Sequence, residues 1–196
     1  EKFNVVILDV ADFKLINGTY GTKKGNEVLV YLSNAFRYYV KNGLLTRYEG
    51  DQLLGLFHSK VKMDVERINR NINKIAEEAP IPNIRIKVGI YEDIDTSLSI
   101  PIICDRALMA EKSISKDFKT NVAFYTDELN QKQLAQRQME NDFKSAIANK
   151  EFKVYYQPKY DVNTENIVGA EALVRWQKPD GTLISPGAFI PLFESD

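Results

Sequence analysis

Two aspartates placed after apolar runs are the residues in this sequence best suited to bind a metal ion. Asp9 follows the apolar residues 3–8, and Asp51 lies in the polar segment 47–53 between two further apolar runs. Carboxylate and phosphate oxygens are the ligands that Mg²⁺ prefers. If the fold brings Asp9 and Asp51 together, they could therefore hold Mg²⁺ against a nucleotide phosphate. The alternative is that both are turn aspartates that cap the local backbone.

The elements that must position these aspartates are predicted from hydrophobic periodicity. Residues 3–9 read as a strand covered on both faces, and residues 44–48 and 53–57 read as a hairpin. Helical spacing predicts one helix over residues 25–39, preceded by Gly25, and another over residues 62–79 that Pro80 ends. Alternation predicts a half-buried strand over residues 84–90. A helix over residues 101–113 and a short strand over residues 122–125 follow.

This order of elements indicates an α/β fold of the ferredoxin-like, split βαβ type with a mostly antiparallel sheet. A right-handed crossover makes the first two strands parallel, and the third strand then returns antiparallel between them. The end of the first strand and the tip of the hairpin would share one edge of the sheet. Asp9 and Asp51 are therefore expected to be neighbours.

The amino-acid composition limits the classes of binding partner that this chain is expected to have. The chain has 196 residues with 26 basic and 27 acidic side chains, so no positive field favours a nucleic acid polymer or an anionic membrane. A single cysteine, Cys104, excludes an intrachain disulfide and favours a reducing, cytoplasmic location. No apolar run is long enough to span a membrane, so no membrane contact is expected from this chain. The sequence reads as a piece of a longer protein, which leaves room for a membrane anchor elsewhere in the parent.

Several motifs in order resemble the GGDEF domain of diguanylate cyclases. They are residues 8–17 (LDVADFKLIN) with Gly21, Gly25 and Asn26, then residues 47–53 (RYEGDQL) at the name-giving motif, then residues 105–109 (DRALM) with Lys112. The resemblance covers residues 1–126, without the family's initial helix, and implies a nucleotide-cyclase palm. It also implies condensation of two GTP molecules to cyclic di-GMP in a homodimer, with Mg²⁺ as the cofactor.

The resemblance implies roles for particular residues. Asp9, Asp51 and the Val10 carbonyl match metal ligands. Lys14 and Lys112 match positions near the phosphates, Asn17 and Asn26 match positions that contact guanine, and Gly50 lies in the nucleotide-binding turn. Other interpretations stay open: Lys14 as a solvated surface lysine, Asn17 as a turn residue, and Lys112 as a partner that balances Glu111 on an exposed helix.

Three departures from the family pattern argue against catalysis. Asn26 stands where the family has an aspartate that accepts two hydrogen bonds from guanine, and a lost charge-assisted bond costs about 1.5–3 kcal/mol. Glu49 replaces a glycine and adds a negative charge, at a cost of roughly 3 kcal/mol for a charge about 5 Å away. Gln52 replaces a catalytic carboxylate. Together these changes predict a rate that is lower by thousands-fold. The Arg-x-x-Asp product-inhibition site is also absent, since Val40 and Gly43 occupy its positions.

Residues 152–194 resemble the start of an EAL domain, the cyclic di-GMP phosphodiesterase barrel. The matching segments are residues 155–158 (YYQP), 169–176 (GAEALVRW) and 189–191 (FIP). A TIM-like barrel needs about 250 residues, so the domain is incomplete here, and Glu171, a metal ligand in the full barrel, is expected to hold no metal. The predicted domains are therefore residues 1–126, a connecting helix over 127–149, and the EAL fragment over 150–196.

The fragment over residues 150–196 is expected to be partly ordered or to pack against another copy. Otherwise Tyr155, Tyr156, Phe189 and Ile190 would expose an apolar patch.

The sequence favours a degenerate GGDEF domain that binds GTP or a related nucleotide and regulates the attached EAL phosphodiesterase. Two alternatives stay open. One is an active diguanylate cyclase, and the other is a purely structural dimerisation module.

Overall fold

The computed structural model describes residues 2–40, 43–58, 63–114 and 120–194, apart from the side chain of residue 192. The chain divides into two compact units, residues 1–130 and 131–196. Of the helices in the described part of the chain, none is both long and apolar enough to cross a bilayer.

The N-terminal unit is built on a five-stranded sheet. Its strands are β1 (Phe3–Val10), β2 (Leu44–Arg47), β3 (Leu53–His58), β4 (Ile86–Tyr91) and β5 (Val122–Phe124), in the order β2-β3-β1-β4-β5. β1 pairs antiparallel with both β3 and β4, β2 pairs antiparallel with β3, and β5 adds parallel to β4. β1 and β2 are thus parallel with β3 between them, as predicted, and the ferredoxin-like fold class is confirmed.

In the described part of the N-terminal unit, four helices accompany these strands: α1 (Phe13–Tyr20), α2 (Thr22–Arg37), α3 (Val65–Glu77) and α4 (Ile100–Lys112). A further helix, α5 (Asp127–Ala148), lies mostly in the C-terminal unit. The sequence did not predict α1. The placement of Gly25 before its helix was wrong, because Gly25 lies inside α2 and is buried there. α3 begins after Asp64, whose carboxylate accepts a hydrogen bond from the Arg67 backbone N–H at 2.9 Å. Residue 62, the predicted start of that helix, lies outside the described residues.

The side chains of β1 point alternately to the two faces of the sheet and pack into two different apolar cores. Val6, Leu8 and Val10 face one side and pack with residues of α2 and α3, among them Leu32 and Ile72. On the other face, residues of β1 and β4 pack with α4; this core comprises Val5, Ile7, Tyr91, Ile103 and Ala107. β1, which carries Asp9 near its end, is therefore packed on both faces.

The C-terminal unit contains a three-stranded antiparallel sheet and a short helix. The elements are β6 (Phe152–Tyr160), β7 (Ile167–Gln177), β8 (Leu183–Ile184) and α6 (Pro186–Phe193), and α6 was not predicted. Its core is formed by Ala146, Trp176 and Phe189, and the Trp176 indole N–H donates to Glu151 Oε2 at 2.8 Å.

The sequence suggested that four side chains would form an exposed apolar patch unless the fragment were partly ordered or packed against another copy, and one of them is buried within the unit. Phe189 is buried because α6 turns its ring onto Trp176, with the ring centroids 5.9 Å apart. Tyr155 and Tyr156 are exposed.

Candidate functional site

The edge of the sheet where β1 ends and β3 begins brings Asp9, Val10 and Asp51 together. Leu8 pairs with Leu53, so Asp9 lies one residue past this pair on β1, and Asp51 lies two residues before it in the hairpin turn. Antiparallel pairing places the end of one strand beside the start of the other. The expectation that the two aspartates would be neighbours therefore holds.

The Asp51 carboxyl is partly buried and lies in the field of Asp9. Burial and, after it, the negative charge of Asp9 raise the pKa of Asp51. Hydrogen bonds from the backbone N–H groups of Asp51 and Val10 and the charge of Arg47 oppose this rise without cancelling it. When two partly buried carboxylates repel each other, a cation bound between them lowers this repulsion. The donor set suits Mg²⁺, which is bound through one or two carboxylates plus phosphate oxygens.

The hairpin turn itself is held by its own backbone. The Tyr48 N–H donates to the Gln52 carbonyl at 2.9 Å, and the Gln52 N–H donates to the Glu49 carbonyl at 2.8 Å. Gly50 has a φ of 54°, in the left-handed region that favours glycine, and its carbonyl accepts from Arg47 Nε at 2.7 Å. Glu49 is exposed at this tip. The turn therefore fixes the backbone on both sides of Asp51.

Gln52 points its amide toward Asp9. Its Nε2 donates to Asp9 Oδ1 across 3.4 Å, a long hydrogen bond. A carboxylate at this position would offer a metal two more oxygens, whereas the amide turns a donor toward Asp9.

The residues predicted to contact guanine lie on α1 and α2. The Asn17 Oδ1 is buried and has no hydrogen-bond partner among the described residues. It lies against Gly25, where an added Cβ would come within 2.0 Å of it. Asn26, the next residue along α2, is exposed. Gly25 is thus needed for the close approach of the two helices at Asn17.

Lys14 and Lys112, the predicted phosphate residues, are both exposed, Lys14 on α1 and Lys112 at the end of α4. The interpretation of Lys112 as the partner of Glu111 on an exposed helix is wrong. Glu111 is only 2% exposed, and its Oε1 pairs with Lys87 Nζ at 2.5 Å.

Lys87 and Glu111 are the polar residues that sequence reasoning missed at this edge. Lys87 pairs across the sheet with Asp9, and its Nζ lies 3.6 Å from Asp9 Oδ2. A signal for Glu111 exists, since Cys104, Ala107 and Glu111 follow each other at helical spacing and all three are buried.

The described residues contain no group of three or more histidine, cysteine or acidic side chains placed to hold a metal ion. A cation at this edge would rest on Asp9, Asp51 and ligand oxygens. In the C-terminal unit, Glu171 is exposed on β7, and its Oε2 lies 3.6 Å from Lys159 Nζ.

Comparison with known protein families identifies the N-terminal part of the chain. The family model described as the diguanylate cyclase GGDEF domain matches residues 1–116. The chain belongs to the GGDEF-domain family. The model of the EAL domain matches residues 140–196, so the GGDEF domain is followed by the beginning of an EAL domain.

Curated relatives align along nearly the whole chain. A bifunctional diguanylate cyclase/cyclic di-GMP phosphodiesterase of Pseudomonas aeruginosa, MucR, is 27% identical over 98% of the chain and 29% of its own length. The biofilm architecture maintenance protein MbaA of Vibrio cholerae is 26% identical over 97% of the chain and 26% of its own length. The chain thus spans less than a third of these relatives.

Solved structures agree on the fold. The active GGEEF domain of a diguanylate cyclase from Vibrio cholerae superposes with a TM-score of 0.51 at 22% identity, and covers 64% of this chain and 84% of its own. The S helix-GGDEF-EAL portion of Vibrio cholerae LapD superposes with a TM-score of 0.57 at 15% identity, over 98% of this chain and 46% of its own. For the GGDEF domain described here, this likeness concerns the fold alone.

Proposed function

We propose that this GGDEF domain binds GTP with Mg²⁺ as a regulatory ligand in a cyclic di-GMP signalling protein, and that it controls the attached EAL domain without cyclase activity. The observation that carries the proposal is the contrast between Asp51 and Gln52. Asp51 keeps a carboxylate beside Asp9, whereas Gln52 turns an amide donor toward Asp9 at 3.4 Å.

The metal chemistry follows from that contrast. Asp9 and Asp51 supply the carboxylates that one Mg²⁺ needs beside a triphosphate, and the cation would relieve their repulsion. Transfer to an α-phosphate is served by two metal ions, one for the attacking oxygen and one for the leaving oxygen. With an amide at Gln52, the second ion lacks a carboxylate. Binding therefore survives better than turnover.

The residue expected to contact guanine also favours weak binding. Asn26 offers guanine one carbonyl acceptor and no charge, and it is exposed on α2. A hydrogen bond to a charged group contributes about 1.5–3 kcal/mol and a neutral one about 0.5–1.5 kcal/mol, so the replacement weakens binding roughly tenfold in Kd. GTP binding is therefore expected to be weaker than in a site with an aspartate at this position.

Thermal unfolding with GTP and Mg²⁺ tests the binding. GTP at about ten times its Kd stabilises the folded state by about 1.4 kcal/mol, which raises Tm by a few degrees. Asp51→Asn should lose most of this shift. Asp180→Asn, in an exposed turn of the C-terminal unit, is the matched control and should keep it. The absence of any shift at millimolar GTP would leave only the structural dimerisation role.

An active cyclase is the competing function, and the retained pair Asp9 and Asp51 favours it. Incubation with GTP and Mg²⁺, followed by chromatography for cyclic di-GMP, separates the two. We expect no product above that of Asp51→Asn. Turnover that this substitution abolishes would contradict the proposal.

Regulation of the EAL domain is tested in the full-length parent. Its phosphodiesterase rate should change when GTP is added, and Asp51→Asn should remove the GTP effect while preserving the basal rate.

A further inference from the structure

Lys87 places a fixed positive charge at the edge where a metal ion is expected. Its Nζ lies 3.6 Å from Asp9 Oδ2 and 2.5 Å from Glu111 Oε1. The three side chains are poorly accessible: 22% for Lys87, 18% for Asp9 and 3% for Glu111. An ammonium group in this position interacts with both carboxylates with little screening by water.

Packing of α4 on β4 holds this arrangement in place. A Cβ added to Gly89 would lie 2.1 Å from the Ala107 carbonyl oxygen and 2.3 Å from the Glu111 backbone nitrogen. The helix backbone therefore lies directly on the strand that carries Lys87, and it delivers Glu111 into a buried position. If Lys87 moved away, the Glu111 carboxylate would be left without its partner in the interior, which is strongly unfavourable.

Each carboxylate oxygen of Asp9 therefore faces a side-chain N–H group of the protein. Gln52 Nε2 lies 3.4 Å from Oδ1, and Lys87 Nζ lies 3.6 Å from Oδ2. Both contacts are long, so neither closes Asp9 to a ligand. A divalent cation bound to Asp9 would, however, lie near the ammonium group and be repelled by it. Asp51 precedes β3, which lies on the opposite side of β1 from β4, the strand that carries Lys87.

We propose that Lys87 is a built-in cation that takes the place of a second metal ion, so that the site accepts a nucleoside triphosphate with a single divalent cation. The metal ion then lies on the Asp51 side, and Lys87 neutralises Asp9 from the other side. This proposal rests on the proposed function for the nucleotide, whereas the effect of Lys87 on bare metal binding does not depend on it.

The decisive experiment measures metal binding rather than activity. Mn²⁺ is titrated into the full chain with and without GTP, and free Mn²⁺ is followed by its electron paramagnetic resonance signal. Lys87→Met combined with Glu111→Leu removes the charge without leaving a buried carboxylate unpaired. Without GTP, we expect the double variant to bind Mn²⁺ more tightly, because the positive end of the ion pair that it removes lies 3.6 Å from Asp9 Oδ2.

With GTP, the wild type should bind one Mn²⁺ per chain. The double variant should bind two once Gln52→Glu also supplies a carboxylate for the second ion, whereas Gln52→Glu alone, with Lys87 in place, should bind one. Lys87→Arg keeps the charge and should behave like the wild type. Lys74→Met, which removes an exposed lysine of α3, is the matched control and should also leave Mn²⁺ binding unchanged.

Two results would overturn the proposal. One is equal Mn²⁺ affinity in the wild type and the folded double variant. The other is that Lys87→Arg binds Mn²⁺ as tightly as the double variant does. If GTP binds to no variant but the double variant still binds bare Mn²⁺ more tightly, the proposed function fails and the role of Lys87 stands. Thermal unfolding of each variant establishes that it is folded.

Discussion

Asp51 lies beside Asp9 at one edge of the five-stranded sheet, and the pKa of Asp51 is raised by its burial and, after that, by the charge of Asp9. The pair therefore holds negative charge that the fold disfavours in the absence of a cation. Sites that bind cations often carry such a cost, because the groups arranged for the ligand repel each other without it.

Asp51→Asn should stabilise the domain at neutral pH when metal is removed with EDTA. A carboxyl whose pKa is higher in the folded state binds its proton more tightly there, so stability falls as pH rises through that pKa. The gain from the substitution should be present at pH 7 and shrink toward about pH 4, where the carboxyl becomes protonated in both states. Thermal unfolding at the two pH values measures this difference.

Asp95→Asn is the control of opposite sign. Hydrogen bonds from Ser97 lower the pKa of Asp95, so its stabilising effect is present at neutral pH and lost as pH falls through the folded-state pKa. The substitution should destabilise the domain at pH 7. Stabilisation by both substitutions would show that the charge of Asp51 is not the cause.

Gly25→Ala should weaken GTP binding more than it weakens the fold. The new methyl group would lie 2.0 Å from Asn17 Oδ1, so the Asn17 side chain has to leave its position between α1 and α2. The expected loss is about 1–3 kcal/mol from overpacking, part of which is offset by the better helix propensity of alanine. Calorimetric titration with GTP and thermal unfolding separate the two effects.

Gly18→Ala provides the matched helical control, since a Cβ at Gly18 meets nothing within 4 Å. It should leave GTP binding unchanged and preserve or slightly raise Tm. An equal loss of GTP affinity in both variants would argue against a role for Asn17 in the site.

The sheet was predictable because its evidence is local and its handedness is general. The alternation along residues 84–90 and the apolar run of β1 fix two strands, and the right-handed crossover fixes their order. α1 was not predicted because the start of this helix carries no recognisable capping signal. Asp12 at the N-cap position has a left-handed φ of 57° and makes no side-chain cap, and Gly18 lies within the helix.

The link between Lys87 and Glu111 was not predictable from residue type. Lysine and glutamate are expected at the surface, and their pairing depends on the close approach of α4 to Gly89. In the structure, Glu111 lies with Cys104 and Ala107 on the buried face of α4, at helical spacing. A charged residue in register with small buried residues was the available sign of a buried ion pair.

Gly89→Ala should destabilise the N-terminal unit. The added methyl group would overlap the Ala107 carbonyl oxygen, 2.1 Å away, and backbone atoms cannot yield as a flexible side chain can. The expected loss is about 3 kcal/mol in the free energy of unfolding, measured by urea denaturation. Gly55→Ala, on β3, is the control because its nearest contacts lie at 3.6 Å, and it should change stability little. If Gly89→Ala and Gly55→Ala lowered the free energy of unfolding equally, the contact between α4 and β4 would be no closer than an ordinary one.

The triple reversion Asn26→Asp, Glu49→Gly and Gln52→Glu should restore function to the site in two separable steps. The aspartate at position 26 regains charge-assisted hydrogen bonds to guanine, so Kd for GTP should fall roughly tenfold or more by calorimetry. The other two changes remove a negative charge from the turn and return a carboxylate to the metal, so cyclic di-GMP synthesis should rise above the wild-type background. Adding Asp51→Asn to the revertant is the control, and it should abolish the synthesis without unfolding the domain. A revertant that binds GTP more tightly but makes no product would locate the remaining defect in the metal arrangement, where Lys87 faces Asp9 at 3.6 Å.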